Sequence, residues 1–521
     1  MWICLGNSLA LAACSTAVCA LISLPLAQIF ARRDFPGKAF WQTILMAPLI
    51  LPPFVGAIGI QQIFARFGAL NHALGLVGPG VAEPHPIDWL GAGGFAGVVA
   101  MQSLHLFPIL FLNLTAAMAN INPAMREAAR GLGAAPGRVF RTVTLPLLAP
   151  GFFAGAILVF VWAFTDLGTP LVFGWYNVVA VQIFDKVTEA GFNPFGYALV
   201  LVVLLTTTVL FLVSRHLLAR QDYATQGKAS AREDLVPLRG RGLACAVAGL
   251  AGVSALALLP HASVILQSLS GKWFMSALPQ EWTLERYREV FTLPQTVAGL
   301  RNSLFYASLS AGVDVALGVA IAWWLARKEF AGKALLDALT VLPLAIPGIV
   351  LAFGYVIAFN VPPSWRGFDL EGLRAWVNPR ENPTLLLVVS YSVRRLPFVV
   401  RSVHAGLRQM SVSLEEASRN LGASSAATLR RIVLPLVRGN LIAGAALTFA
   451  FAFLEVSDSL ILAMKEQFYP VTKTIWALMG RIEPGAAAVA SALGVLGMFL
   501  LFAAFWIANR VLGKRMGNLF G

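Results

Sequence analysis

At 521 residues, with 58% apolar and only 12% charged side chains, the chain carries more apolar surface than a soluble core of its size can hide. That surface falls into continuous runs of about 20 residues, the length a helix needs to cross the hydrocarbon, which excludes a barrel of short alternating strands. The formal charge of +14 is scattered over short loops between the runs, which argues against a nucleic-acid partner and for topology signals in a lipid bilayer.

In chain order, apolar runs bounded by charge, Pro and Gly predict five spans near 4–31, 39–64, 93–119, 147–170 and 197–219. Six more follow near 242–267, 301–326, 335–360, 384–406, 436–463 and 488–511, with kinks expected at Pro48, Pro52, Pro343 and Pro347. No basic residue precedes the first run and Arg32 and Arg33 follow it, so it reads as a retained span and not a cleaved leader. Cys4, Cys14, Cys19 and Cys245 lie inside apolar runs without metal-ligand spacing. Placing the N-terminus outside puts 27 of the 39 Lys and Arg residues on the cytoplasmic side, including Arg394, Arg395 and Arg401 beside the ninth run. Moving those three leaves 24 against 15, the same orientation.

The segment starting Asn7-Ser8-Leu9 and ending at Ala39 recurs from Asn302, displaced by 295 residues, and the paired prolines Pro48 and Pro52 recur as Pro343 and Pro347. Further on, residues around 125–148 recur 289 residues later. The chain is therefore expected to be an all-α polytopic membrane protein of two copies, 1–219 and 242–521, joined by a basic cytoplasmic linker at 220–241. Equivalent points are six spans apart, so both copies should face the same way about an axis along the membrane normal. The run at 242–267 has no counterpart before Trp2, so either the first copy lost a span or the natural start lies upstream of Met1.

Each copy holds a polar segment, 121–146 and 411–435, with one internal spacing. The first carries Glu127, Ala128, Ala129, Gly133, Val143, Leu145 and Pro146; the second carries Glu416, Ala417, Ser418, Gly422, Ile432, Leu434 and Pro435. Physically this is a polar helix broken near the Gly, then a basic helical turn that Pro ends at the next span. A lone copy would read equally well as an ordinary interfacial amphipathic helix, but identical spacing at equivalent places argues for a shared partner surface.

The paired segment resembles the EAA loop of type I permeases from binding-protein-dependent ABC importers. The resemblance implies two tandem type I permease bundles of about eleven transmembrane helices in the bacterial inner membrane. It also implies two cytoplasmic ATPase subunits, each gripping one loop, and a periplasmic solute-binding protein. Ser418 departs from the usual third Ala by one hydroxyl. No G-x-x-x-x-G-K-[ST] stretch occurs, so the chain is expected to bind no cofactor, with ATP used by the partner subunits and not by an enzyme activity of its own.

Charged or polar groups inside spans are costly and mark a partner or a wet cavity. His105 and Arg394 are equivalent, three residues before Pro108 and Pro397, with Arg395 beside the second and expected at mid-depth. Asp166 and Glu455 are equivalent too, 20 residues after the motif prolines, about 30 Å along a helix and so near the periplasmic end, with Asp458 close by. One reading is an acidic mouth that accepts a cation; the favoured one pairs the carboxylates with the arginines or lets them cap helix ends. The stretches YSVRRLPFVVRS and FAFLEVSDSLILA, with the fused layout, look like ferric-iron permeases, which implies iron(III) as substrate; thiamine, polyamine and phosphonate permeases are similar. The carboxylates suit a hard cation and the arginines an anion, so charge leaves the substrate open. A secondary transporter with two similar halves is the rival, and it leaves the paired loop without a purpose.

Overall fold

The computed structural model describes residues 1–78, 84–91, 94–187, 194–219, 235–359 and 378–512. It divides into two compact units, one of 1–185 with 197–284 and the other of 186–196 with 285–521.

The first unit opens with α1 (Trp2–Arg32), then α2 (Lys38–Met46), α3 (Pro53–Phe64) and α4 (Phe95–Ala119). A stripe of small residues on α1, Ser8, Ala12, Ser15, Cys19 and Ser23, is buried and lets α4 approach closely. Its hydroxyls are satisfied across the contact: Ser15 Oγ donates to Gln102 Oε1 at 2.8 Å and Ser23 Oγ to the Phe107 carbonyl at 2.9 Å. The unit continues with α5 (Pro123–Gly131), α6 (Leu145–Phe164), α7 (Gly168–Val172), α8 (Val179–Lys186), α9 (Pro194–Ala219) and α10 (Gly240–Ser268).

The second unit repeats the plan. It contains α11 (Pro294–Arg327), α12 (Lys333–Ala345), α13 (Gly348–Phe359), α14 (Thr384–Gln409) and α15 (Ser413–Asn420). After these come α16 (Leu434–Phe453), α17 (Ser457–Leu462), α18 (Val471–Met479) and α19 (Ala486–Leu512). The α11/α14 contact reproduces that of α1/α4, with Ser392 Oγ donating to Ser310 Oγ at 3.2 Å where the first copy has Ser103 and Ser15.

Seven helices among the described residues are long and apolar enough to cross a membrane, and two bent pairs raise the number to nine. The expected second and eighth spans are those pairs, bent by 93° and 100°. Proline is the cause. Leu51 and Ile346 each precede a proline and are extended, at φ −95° and −91°, because a helical residue there would clash with the ring. The other two expected runs are helical as well: α9, whose apolar part is Pro194–Leu210, and α14, which carries Arg394, Arg395, Arg401 and Arg408.

Two expectations need revision. Pro146 and Pro435 do not end a helix: Pro136–Val172 and Ser425–Phe453 run on through them, each widened by a π-helical turn, Phe140–Thr144 and Leu429–Val433, just before the proline. A wider turn there accommodates a residue that has no N–H to donate to the preceding turn. The run placed at the head of the second copy, α10, packs in the first unit against α3, with Pro260 beside Gly56 and Ser263 beside Gly59. Sequence repeat and packing unit therefore have different boundaries. Of the expected linker, residues 220–234 lie outside the described residues; Val236 and Pro237 pair in parallel with Arg33 and Asp34 at the end of α1.

Candidate functional site

The two motif segments fold alike. In the first, Pro123 sits at the first helical position of α5 and the Asn122 side chain accepts the Ala124 N–H at 3.0 Å, a cap that starts the helix sharply. In the second, Ser411 Oγ accepts the Ser413 N–H at 3.3 Å. Both helices end on the motif glycine in the left-handed region, Gly133 at φ +81° and Gly422 at +85°. The amide of the following residue, Ala134 or Ala423, reaches back to the Ala129 or Ser418 carbonyl at 3.1 Å. The glycine is thus required by backbone conformation, since any Cβ is strained there.

This turn leaves one face outward. Glu127, Ala128, Glu416 and Ala417 are exposed, and so are Pro146, Pro435 and Leu145, with Leu434 half-buried. Leu132 and Leu421, absent from the sequence reading, are 89% and 88% exposed at the tips of the two turns. The signal was present, since both precede the motif glycine. Each turn thus exposes a bare leucine beside acidic and small residues.

The inner face differs between copies. Glu415 of α15 is buried and pairs with Arg327, the last residue of α11, at 2.6 Å; Arg327 also donates to the Leu407 carbonyl at 2.9 Å. The first copy has Arg126 at the place of Glu415, buried likewise, and Arg32 donates to Thr144 Oγ1 at 3.0 Å.

The span residues form two separate arrangements, one per unit. In the second, Arg394 Nη1 lies 2.7 Å from Glu455 Oε1 and 3.4 Å from Asp458 Oδ2, and Arg395 Nη2 bonds the other Glu455 oxygen and the Phe451 carbonyl. Ser390 Oγ donates to Asp458 Oδ2 at 2.8 Å, and Tyr391 shares a 2.6 Å hydrogen bond with Ser459. Glu455 and Asp458 are buried, so these are charges matched by charges in a low-dielectric interior. The carboxylates meet the arginines, as in the favoured reading, and do not stand apart from them as a separate acidic mouth in this unit.

In the first unit the equivalents carry no such ion pair. His105 Nδ1 lies 2.8 Å from the Pro48 carbonyl, at the break between α2 and α3. Asp166 Oδ1 accepts the Gly168 and Thr169 amides at 3.1 and 3.4 Å, capping α7, while Oδ2 accepts from Gln102 at 3.1 Å. Arg394 occupies the corresponding break, where a Cβ on Gly348 would overlap its guanidinium. The sequence also gave no prominence to Asp314, fully buried on α11 where the first copy has Cys19.

Comparison with known proteins decides what this doubled arrangement is. The family described as "Binding-protein-dependent transport system inner membrane component" matches twice, at residues 23–223 and 316–517. The chain belongs to this family. It is a multi-pass inner-membrane permease built from two copies, and the secondary-transporter reading is not favoured. It is similar to the ferric transport system permease protein FbpB of Actinobacillus pleuropneumoniae, 29% identical over 93% of this chain and 67% of that one. A putative ferric transport system permease protein FbpB 1 of Haemophilus influenzae is 30% identical over 84% and 65%. The sulfate transport system permease protein CysT of Salmonella typhimurium is 28% identical over 51% of this chain and 91% of its own. The chain thus spans about two thirds of the length of the ferric permeases it matches.

Proposed function

We propose that this permease carries iron(III) inward through a path between its spans, driven by two separate cytoplasmic ATPase subunits that seat α5 and α15 in their grooves, and loaded by a periplasmic binding protein. The observation that carries the coupling part is the pair of identical knuckles, each presenting Glu, Ala and a bare Leu at the same spacing. In this reading the chain binds no cofactor and hydrolyses no ATP; it converts the partners' closure into movement of its spans. The iron assignment is supported by two relatives that match both copies and are named for ferric transport, whereas the sulfate permease matches about half of the chain.

The Arg394, Arg395, Glu455 and Asp458 cluster is the candidate path element. Its carboxylates could receive a hard cation only if the guanidiniums turn away, so iron passage would require the ion pairs to open. The test is uptake by proteoliposomes holding the full chain, its ATPase subunits and the binding protein. ATP-dependent accumulation of radioactive iron(III) is expected. Uptake of sulfate in place of iron would overturn the substrate, and uptake without ATPase subunits would overturn the coupling.

A further inference from the structure

A second repeated pattern remains unused by the coupling motif. Asn7 and Ser8 toward the start of α1 recur as Asn302 and Ser303 on α11, and Arg32 at the far end recurs as Arg327. Each Ser and Arg are separated by about 36 Å of helix, more than the roughly 30 Å of hydrocarbon.

Both ends are fastened, and the Asn-Ser end in the same manner in the two copies. Ser8 Oγ accepts the amide of Val179, the first residue of α8, at 2.9 Å, and Ser303 Oγ accepts the amide of Val471, the first residue of α18, at 2.8 Å. A helix's first amides have no partner of their own, so each of these is capped by a side chain from another helix. Asn7 donates to the Asn177 carbonyl at 2.9 Å, and Asn302 to the Gln467 and Tyr469 carbonyls at 2.9 and 3.1 Å. At the opposite end, Arg327 holds α15 through Glu415, whereas Arg32 holds the π-helical turn that follows α5.

In the second unit the fastened segment leads straight to the ion pairs. Thr472 Oγ1 donates to the Glu455 carbonyl at 2.6 Å and Lys473 Nζ to the Leu460 carbonyl at 2.5 Å, so α17, α18 and Glu455 form one folded piece. The helix between the two ends is stiff. α11 runs 34 residues without an internal proline, while α1 holds Pro25 within it, which removes one hydrogen bond from its ladder.

We infer that α11 is a connecting rod: Arg327 takes up displacement of α15 through Glu415, and Asn302 with Ser303 delivers it to the segment carrying Glu455 and Asp458. This rests on the coupling role proposed for α15. Arg327, Asn302 and Ser303 are positioning residues, which touch neither nucleotide nor cargo.

The experiment uses the same proteoliposomes and reads two quantities, iron taken up and ATP hydrolysed. Arg327→Met and Asn302→Ala should each lower uptake per ATP by roughly fivefold or more, the low end of coupling between distant sites, with ATPase subunits still copurifying. Because the two sites act in series, the double variant should be no worse than the poorer single one, although sites so far apart are ordinarily additive. Exchanging the charges, Arg327→Glu with Glu415→Arg, should recover most of the ratio and guards against a single variant that fails to assemble. Singles at the parental ratio, a double variant losing the product of both effects, or an assembled exchange variant no better than the singles would each overturn the rod. Absence of ATP-driven uptake in the parent would instead overturn the coupling role itself.

Discussion

Ser418 Oγ and Thr428 Oγ1 lie 3.0 Å apart in the second coupling segment, at the two positions where the first has Ala129 and Val139. The departure from the motif's third Ala is therefore matched across the turn: a polar pair stands where the other copy has two apolar residues. Removing one hydroxyl strands the other in a buried place, as Thr428 is 4% exposed. Ser418→Ala should cost about 1 kcal/mol and Ser418→Ala with Thr428→Val close to nothing, since replacing both partners removes the unmet hydrogen bond. Thermal unfolding of the purified protein compares the two; a double variant less stable than the single would contradict the pairing.

The knuckle leucines give a test of the docking face. Burying a leucine is worth about 1.5–3 kcal/mol, and Leu132 and Leu421 stand almost fully exposed on their turns. Leu132→Asp with Leu421→Asp should weaken binding of the ATPase subunits by roughly 100-fold while leaving the fold intact, because neither side chain packs inward. Titration of labelled ATPase subunit onto the permease in nanodiscs reads the loss directly. Unchanged affinity would move the docking site elsewhere.

The two copies should also respond unequally to loss of their equivalent carboxylates. Glu455→Gln leaves the buried Arg395 and the half-buried Arg394 with one fewer negative charge, and breaking a buried pair in this way costs about 3–5 kcal/mol. Asp166→Asn keeps an oxygen to accept the Gly168 and Thr169 amides, and loses only part of a cap, about 1 kcal/mol. Melting temperatures of the two variants, measured side by side, should therefore differ by several degrees, with Glu455→Gln lower. Equal effects would mean that the cluster is not held by charge.

How much of this was legible in the sequence depends on separation along the chain. The repeat, the paired turns at Gly133 and Gly422 and the bends at Pro52 and Pro347 all follow from local order and could be read directly. The pairing of Arg394 with Glu455 was the favoured reading of these charges, but their shared level was not legible, because counting residues along a helix measures rise from its start and not where that start lies. Arg327 read only as a topology charge, since its partner Glu415 is 88 residues away and nothing local marks it. The position of α10 was hidden for a related reason: repetition shows which segments share an origin, whereas packing depends on which faces are left to cover.

That last point can be tested on a pair of glycines. Gly59 on α3 faces α10, where an added Cβ would overlap Ser263 and sit 2.8 Å from the Val264 backbone nitrogen. Backbone cannot swing aside as a flexible side chain can, so Gly59→Ala must push the helices apart, at a cost of about 1–3 kcal/mol. Its repeat equivalent, Gly354 on α13, meets nothing within 4 Å among the described residues. There alanine only removes backbone freedom from a helix interior, and Gly354→Ala should be stabilising by about 0.5–1 kcal/mol. Opposite shifts of the unfolding temperature are the expected result. If both substitutions destabilise alike, the face of α13 carrying Gly354 is covered by a helix just as α3 is, and the two copies are more similar than their packing shows.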